Sequence, residues 1–203
     1  MPSSHGLIHG PLDRKCQHLC VDMQLMFAEP TEWHTPWMER VRPVVHRLVA
    51  AHPERTIFTC FIPPERPEDV QGSWRRYYER WSEMTRSGIA PRMLELLPEL
   101  AAHVPPATVI DKGTYSPFVD PSFERRLRER GAEALIISGA ETDVCVLATV
   151  LGAVDRGFRV IVPVDAICSS ADETHDALMT LYASRFGRQI ETARTEEVLA
   201  SWT

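Results

Sequence analysis

The sequence predicts a single-domain α/β protein, a doubly wound, Rossmann-like parallel sheet of six strands with helices on both faces. Three observations carry that expectation. The 203 residues suffice for one sizeable core but not for two ordinary domains. Short apolar runs alternate with stretches of helical period, the βαβ rhythm of a parallel sheet. Each run is apolar on both sides of its pleat, as strands covered by helices on two faces must be.

The elements follow in chain order. Residues 1–16 are polar and contain two prolines, so they read as a loosely ordered arm ahead of a domain spanning 17–203. Strands are expected at 18–22, 56–62, 108–111, 134–138, 159–164 and 189–192. A helix over 37–51 places Val41, Val44, Val45 and Leu48 on one face and stops before Pro53. After the second strand comes a connection long for a βα unit, in which Trp74, Tyr77, Tyr78 and Trp81 recur at helical spacing. That stripe packs on the core or a partner subunit, or walls a pocket. The run ERRLRERG at 124–131 interleaves acids with its arginines, which describes a solvated helix. A helix over 142–156 ends at Gly157, and another over 172–186 begins with an Asx-type cap.

Charge and cysteine content narrow the partners. With 28 acidic and 22 basic side chains the net charge is −6, which repels a phosphate backbone and disfavours nucleic acid. No apolar run reaches the length of a membrane span, and the first residues lack the apolar core of a signal peptide. The five cysteines, at 16, 20, 60, 145 and 168, include no CxxC pair and cannot all pair with one another. A reduced, cytoplasmic chain with a small-molecule ligand is expected.

In open α/β sheets ligands bind beyond the carboxyl ends of the strands. Three chemically distinct groups fall there: Asp22, Lys112 and Cys145. Cys145 sits about three residues into a helix, where the macrodipole and nearby amides favour thiolate, and a neighbouring Lys112 would push the same way. Asp22 could take the thiol proton and return it to a leaving amine. Singly, each has an ordinary structural explanation: a buried cysteine, a loop-capping aspartate, a solvated lysine. Their joint placement at strand ends is what points to catalysis.

Three segments carry a resemblance to a known family: VDMQ at 21–24 with Phe27 after it, DKGTYSPF at 111–118, and SGAETDVCVLATVLGAVDRGFRVIVPVDA at 138–166. They resemble the isochorismatase-like cysteine hydrolases, which include nicotinamidases, N-carbamoylsarcosine amidase, ureidoacrylate and biuret hydrolases, and isochorismatases. The resemblance spans about 19–190. It implies a triad with Asp22 as general base, Lys112 as orienting cation and Cys145 as nucleophile. It also implies a non-proline cis peptide between Ala140 and Glu141, with the amides of Glu141 and Cys145 forming an oxyanion hole.

Departures from subfamily patterns shape the expected substrate. Nicotinamidases of this family bear a D-x-H metal pair after the second strand, where TCFIPP here puts Phe61 and Pro63. Neither side chain ligates metal, so no metal and no cofactor are expected. Isochorismatases generally lack the cysteine. The expected activity is therefore hydrolysis of a C–N bond in a small amide, ureido or N-carbamoyl compound through a thioester. The alternatives are vinyl ether hydrolysis of the isochorismatase type, or a catalytically silent binding scaffold. Candidate substrate contacts are Phe27, Trp33, Phe61, Trp74, Arg75, Tyr78 and Phe118, with a homo-oligomer, dimer or tetramer, as the assembly.

Overall fold

The computed structural model describes residues 6–203. In chain order the regular elements are β1 (Cys16–Val21), α1 (Leu25–Ala28), α2 (Met38–Ala51), β2 (Thr56–Phe61), α3 (Gly72–Arg80), α4 (Pro98–Ala101), β3 (Thr108–Lys112), α5 (Pro121–Glu129), β4 (Ala134–Ala140), α6 (Leu147–Asp155), β5 (Arg159–Pro163), β6 (Ile167–Cys168), α7 (Asp172–Ser184), β7 (Ile190–Ala193) and α8 (Thr195–Ser201). Six strands form one parallel path in the order β3-β2-β1-β4-β5-β7, and the two-residue β6 adds a seventh by pairing with the end of β4. The six expected strands are present, and β6 is the addition.

The strand order reverses between β1 and β4. From β1 the chain winds outward to β2 and β3, then returns to β4 and winds the other way. Such a switch point opens a crevice at the carboxyl ends of the two central strands, because the following connections leave to opposite sides. Asp22 follows β1 and Glu141 follows β4, so both stand at that crevice.

Alternation within the strands separates two cores. Cys16 and Cys20 of β1, Phe58 of β2 and Ile136 of β4 face α2, α4 and α8. Leu19, Val21, Ile57, Leu135 and Ile137 face α5, α6 and α7. The two-sided apolar pattern holds for the central strands but not for β3, an edge strand whose Val109 and Asp111 are exposed. The clusters bury most of the large side chains, and burial at roughly 25 cal/mol per Å2 of apolar surface drives the assembly. Among the described residues no helix is long and apolar enough to cross a membrane.

The expected loose arm differs in its described part; residues 1–5 lie outside the described residues. The Gly6 N–H donates to the Thr192 carbonyl, and Leu12 is buried, exchanging main-chain hydrogen bonds with Ser201 and Thr203. Arg159 donates to the carbonyls of Gly10 and Pro11 while also pairing with the buried Glu191. Local composition is polar here, and long-range backbone pairing overrides it.

The close approach of β1 to β4 depends on one glycine. Gly139 has φ +111°, and a Cβ there would lie 2.1 Å from the Val21 carbonyl oxygen. Replacing it with alanine is expected to destabilise the protein by about 3 kcal/mol or more, measured by chemical denaturation; a loss under about 1 kcal/mol would show that the two strands can separate without cost.

Candidate active site

The loop after β1 turns sharply. Asp22 takes φ +52°, a left-handed conformation that aspartate tolerates better than most residues, and its N–H donates to the Thr59 carbonyl on β2. Its carboxylate is fully buried. One oxygen, Oδ1, accepts from Thr59 Oγ1 at 2.7 Å, and the other, Oδ2, accepts from Lys112 Nζ at 2.6 Å. Lys112, the last residue of β3, also donates to the Thr114 carbonyl at 3.1 Å. Parallel register puts Lys112 opposite Phe61 of β2, so three adjacent strand ends supply the pair and its support. Among the described residues it is the ion pair whose two partners are both buried.

Gln24 latches the same edge. Its amide nitrogen donates to the carbonyls of Phe61 and Leu94, and its oxygen accepts from the Phe61 N–H. This is why a polar residue in VDMQ can be buried: its hydrogen bonds replace those a sheet neighbour would have made.

β4 ends in a cis peptide between Ala140 and Glu141, at the expected place. The expected helix over 142–156 does not begin as an α-helix. Thr142–Val146 form a π-helical turn, and α6 starts only at Leu147. The Glu141 carbonyl accepts from the N–H groups of Val144 and Val146, and Thr149 Oγ1 donates to the Cys145 carbonyl. Single π turns recur at functional sites because the extra residue re-aims a side chain. Here the residue so placed is Cys145, whose thiol interacts with both the Asp22 carboxylate and the Lys112 ammonium.

The ionisation of the thiol differs from the sequence expectation. Burial pushes the Cys145 thiol well above its ordinary pKa, and the Asp22 carboxylate pushes it the same way; Lys112 opposes them without prevailing. Burial disfavours the Lys112 ammonium too, yet Asp22 and Cys145 outweigh it and hold its pKa above the ordinary value. The enclosed thiol is thus held protonated beside the Asp22–Lys112 ion pair. A helix start was expected to favour thiolate, but desolvation of a fully enclosed sulfur is the larger effect.

Aromatic side chains close the site. Trp33 stacks on Phe27 and meets Phe61, Tyr77 and Tyr78. Trp74 stacks on Tyr78 and leans on Tyr115 at 4.7 Å between ring centroids. The Lys112 ammonium lies 4.9 Å from the centre of the Phe61 ring. Tyr77, Tyr78 and Tyr115 all lie within electrostatic reach of Cys145, and burial raises the pKa of each phenol. Phe61 and Tyr78 therefore flank the triad, and Trp33, Trp74 and, through Trp33, Phe27 converge on them.

Two expected contacts do not. Arg75 faces solvent and pairs with Glu79 one turn along α3, because the aromatic stripe takes the inward face of that helix. Phe118 packs in the opposite core against Phe123 and Phe158, with Arg156 over its ring. Two residues outside the expected set belong to the wall. Tyr77 lay within the aromatic stripe, but spacing alone could not say which of two adjacent tyrosines faced inward. Tyr115 sits in DKGTYSPF, and its proximity to Trp74 is a tertiary contact.

The place of a metal pair after β2 holds Phe61, buried under Lys112, and Pro63. These residues do not fit a metal. A cavity of about 1050 Å3 lies elsewhere, between α2 and α7, lined in part by Trp37, Val41, His175 and Met179. The triad is not on its lining; His175, which is, shares a hydrogen bond with the hydroxyl of Thr142, the residue after Glu141.

The isochorismatase domain matches residues 16–194, which is most of the chain. This chain belongs to the isochorismatase family. An isochorismatase-family protein of Bacillus subtilis (strain 168), named PncA and described as uncharacterized, is 35% identical over 88 residues. That match covers 43% of this chain, and the chain spans about half of that relative, 48% of its length. Among solved structures, a cysteine hydrolase from Pseudomonas syringae pv. phaseolicola 1448A superposes with TM-score 0.82 at 24% identity, covering 98% of each chain. N-carbamoylsarcosine amidase from Thermoplasma acidophilum superposes with TM-score 0.71 at 19% identity, over 89% of this chain and 96% of its own. The two solved structures share the fold of this chain.

The buried pair makes a stability prediction. Lys112→Met leaves the Asp22 carboxylate unpaired and is expected to cost about 3–5 kcal/mol at neutral pH. Adding Asp22→Asn to it should recover most of that loss in denaturant titrations; an undiminished loss in the double variant would place the cost in packing instead.

Proposed function

We propose that this chain is a metal-independent cysteine hydrolase that cleaves the C–N bond of a small amide, ureido or N-carbamoyl substrate through a thioester. The observation that carries the proposal is the meeting of a buried carboxylate, a buried ammonium and a thiol at the switch point of the sheet. The resemblance to an amidase and to a cysteine hydrolase in fold supports the same reaction class.

The steps follow from the resting charges. A substrate carbonyl enters beside Cys145, and the Asp22 carboxylate takes the thiol proton as sulfur attacks the carbonyl carbon. The S–C bond forms, and the carbonyl π electrons move to oxygen. N–H groups of the turn at Glu141 and Cys145 stabilise that oxyanion, an interaction worth about 3 kcal/mol per donor in comparable sites. The C–N bond then breaks, with the proton passing from Asp22 to the departing nitrogen. Water enters, gives its proton to Asp22 and attacks the thioester carbon; the S–C bond breaks and sulfur recovers the proton. Lys112 holds the Asp22 carboxyl in place through their ion pair and balances the charge of the transient thiolate.

Keeping the thiol neutral at rest has a chemical rationale. The proton that Asp22 removes is the one the leaving nitrogen needs, so the acid required for C–N cleavage is generated by the step that makes the nucleophile. The aromatic wall excludes bulk water and strengthens every charge interaction inside it.

The mechanism separates turnover from thiol acidity. Cys145→Ala is expected to lower kcat on a responsive amide by about a thousandfold or more, and intact mass should detect an acyl adduct on wild type under rapid quench. If the alanine variant retains most of its rate, thioester chemistry is excluded. Asp22→Asn should abolish turnover while moving the pH midpoint of Cys145 alkylation downward, because it removes a carboxylate that raises the thiol pKa and leaves Lys112 in place. An upward movement would contradict this account of the triad.

A further inference from the structure

The reaction above uses the main chain of Glu141 but not its side chain. That carboxylate is held by one oxygen only: Oε1 accepts from Thr35 Oγ1 at 3.2 Å and from the Ser170 N–H at 2.9 Å. Oε2 has no hydrogen-bond partner among the described residues, and the side chain is half-buried. Both donors are neutral. Among the described residues no lysine or arginine forms an ion pair with Glu141.

Its position bears on the site. Glu141 follows Ala140 across the cis bond and precedes the turn that carries Cys145. Its carboxylate acts on Tyr77 of the aromatic wall, the same phenol that senses Cys145, and on Cys168, whose thiol contacts the Gly139 carbonyl. Asp143, two residues on, is likewise bound only by neutral donors, the hydroxyls of Ser169 and Thr174. Within the triad, Asp22 and Lys112 cancel and the thiol is neutral. Asp143 acts on His175 and Tyr182 of α7, so the acidic side chain that reaches the aromatic wall without a basic partner among the described residues is that of Glu141. The arginines that might have balanced it turn away: Arg75 pairs with Glu79, and Arg80 lies over Trp81.

The geometry points to Glu141 as a specificity-determining residue whose anchored carboxylate admits neutral or cationic amides and ureas bearing N–H groups and rejects those that carry a carboxylate. This deepens the hydrolase proposal and rests on it for the identity of the site. Oε2 is the free acceptor for a substrate N–H. Two carboxylates roughly 6 Å apart, at an effective dielectric of about 20, repel strongly enough to disfavour an anionic ligand by tenfold to a hundredfold. Within the substrate range proposed above, N-carbamoyl and ureido acids are thereby disfavoured against simple amides and ureas.

A pair of alkylating agents of equal size and different charge tests this without requiring turnover. Iodoacetamide and iodoacetate are applied to the full chain at pH 9, labelling of Cys145 is followed by peptide mass mapping, and each rate is divided by that of glutathione. Wild type is expected to favour iodoacetamide by about tenfold or more on this scale. Glu141→Gln should reduce that preference by about tenfold, and Glu133→Gln, which alters an exposed pair with Lys15, should leave it unchanged. No preference in wild type, or an unaltered one in Glu141→Gln, overturns the inference. Should Glu141→Gln fail to fold, kcat/KM of wild type for succinamide against succinamate decides: a preference of about tenfold for the diamide supports the charge filter, and equal or reversed values overturn it. Absence of turnover on every amide, alongside an intact charge preference at Cys145, would sink the hydrolase proposal and leave the filter standing.

Discussion

The buried ion pair between Lys112 and Asp22 is the constraint around which the rest is arranged. Taking two charges out of water is costly, and their attraction compensates only when geometry is good and the remaining hydrogen-bonding capacity is met. Here the second carboxylate oxygen is met by Thr59 and the ammonium by the Thr114 carbonyl. Those partners lie on or just after three neighbouring strands, so the pair exists only when β1, β2 and β3 are in register. A slip of one residue would turn either group to the opposite face of the sheet. The same pair that tests the fold also defines the site.

Burial has a second consequence at Cys145. An enclosed sulfur resists ionisation, and the neighbouring carboxylate adds to that resistance. The thiol is therefore held protonated next to the Asp22–Lys112 ion pair. The aromatic wall of Trp33, Phe61, Trp74, Tyr77, Tyr78 and Tyr115 supports this arrangement by keeping the medium weakly polarisable. Such a wall makes any unbalanced charge near Cys145 count for more, which is the physical basis of the role proposed for the free carboxylate oxygen of Glu141.

Some of this was legible in the residues themselves. The central strands read as strands because hydrophobic cover on both faces leaves no polar side, and VDMQ, IDKG and GAETDVC placed ionisable groups immediately beyond them. Asp22 and Lys112 pair, and the cis bond lies between Ala140 and Glu141, where the family resemblance implied it. Other features were hidden. Arg75 and Trp74 are adjacent in sequence but face opposite ways, and helical period locates a stripe without saying which neighbour continues into the site. Phe118 stands in a signature segment yet belongs to the far core, where it packs beneath Gly152. The polar arm reads as loose, but Leu12 is pinned by main-chain bonds to residues near the other end of the chain.

By itself the sequence determined the fold class, the alternation of elements and the three chemical groups at the strand ends, because these depend on local period and on which residue types tolerate burial. Tertiary structure decided the protonation of Cys145, the membership of the aromatic wall and the free oxygen of Glu141. Each of those depends on how completely water is removed and on which distant donor or charge arrives in its place, quantities set by packing between residues far apart in the chain.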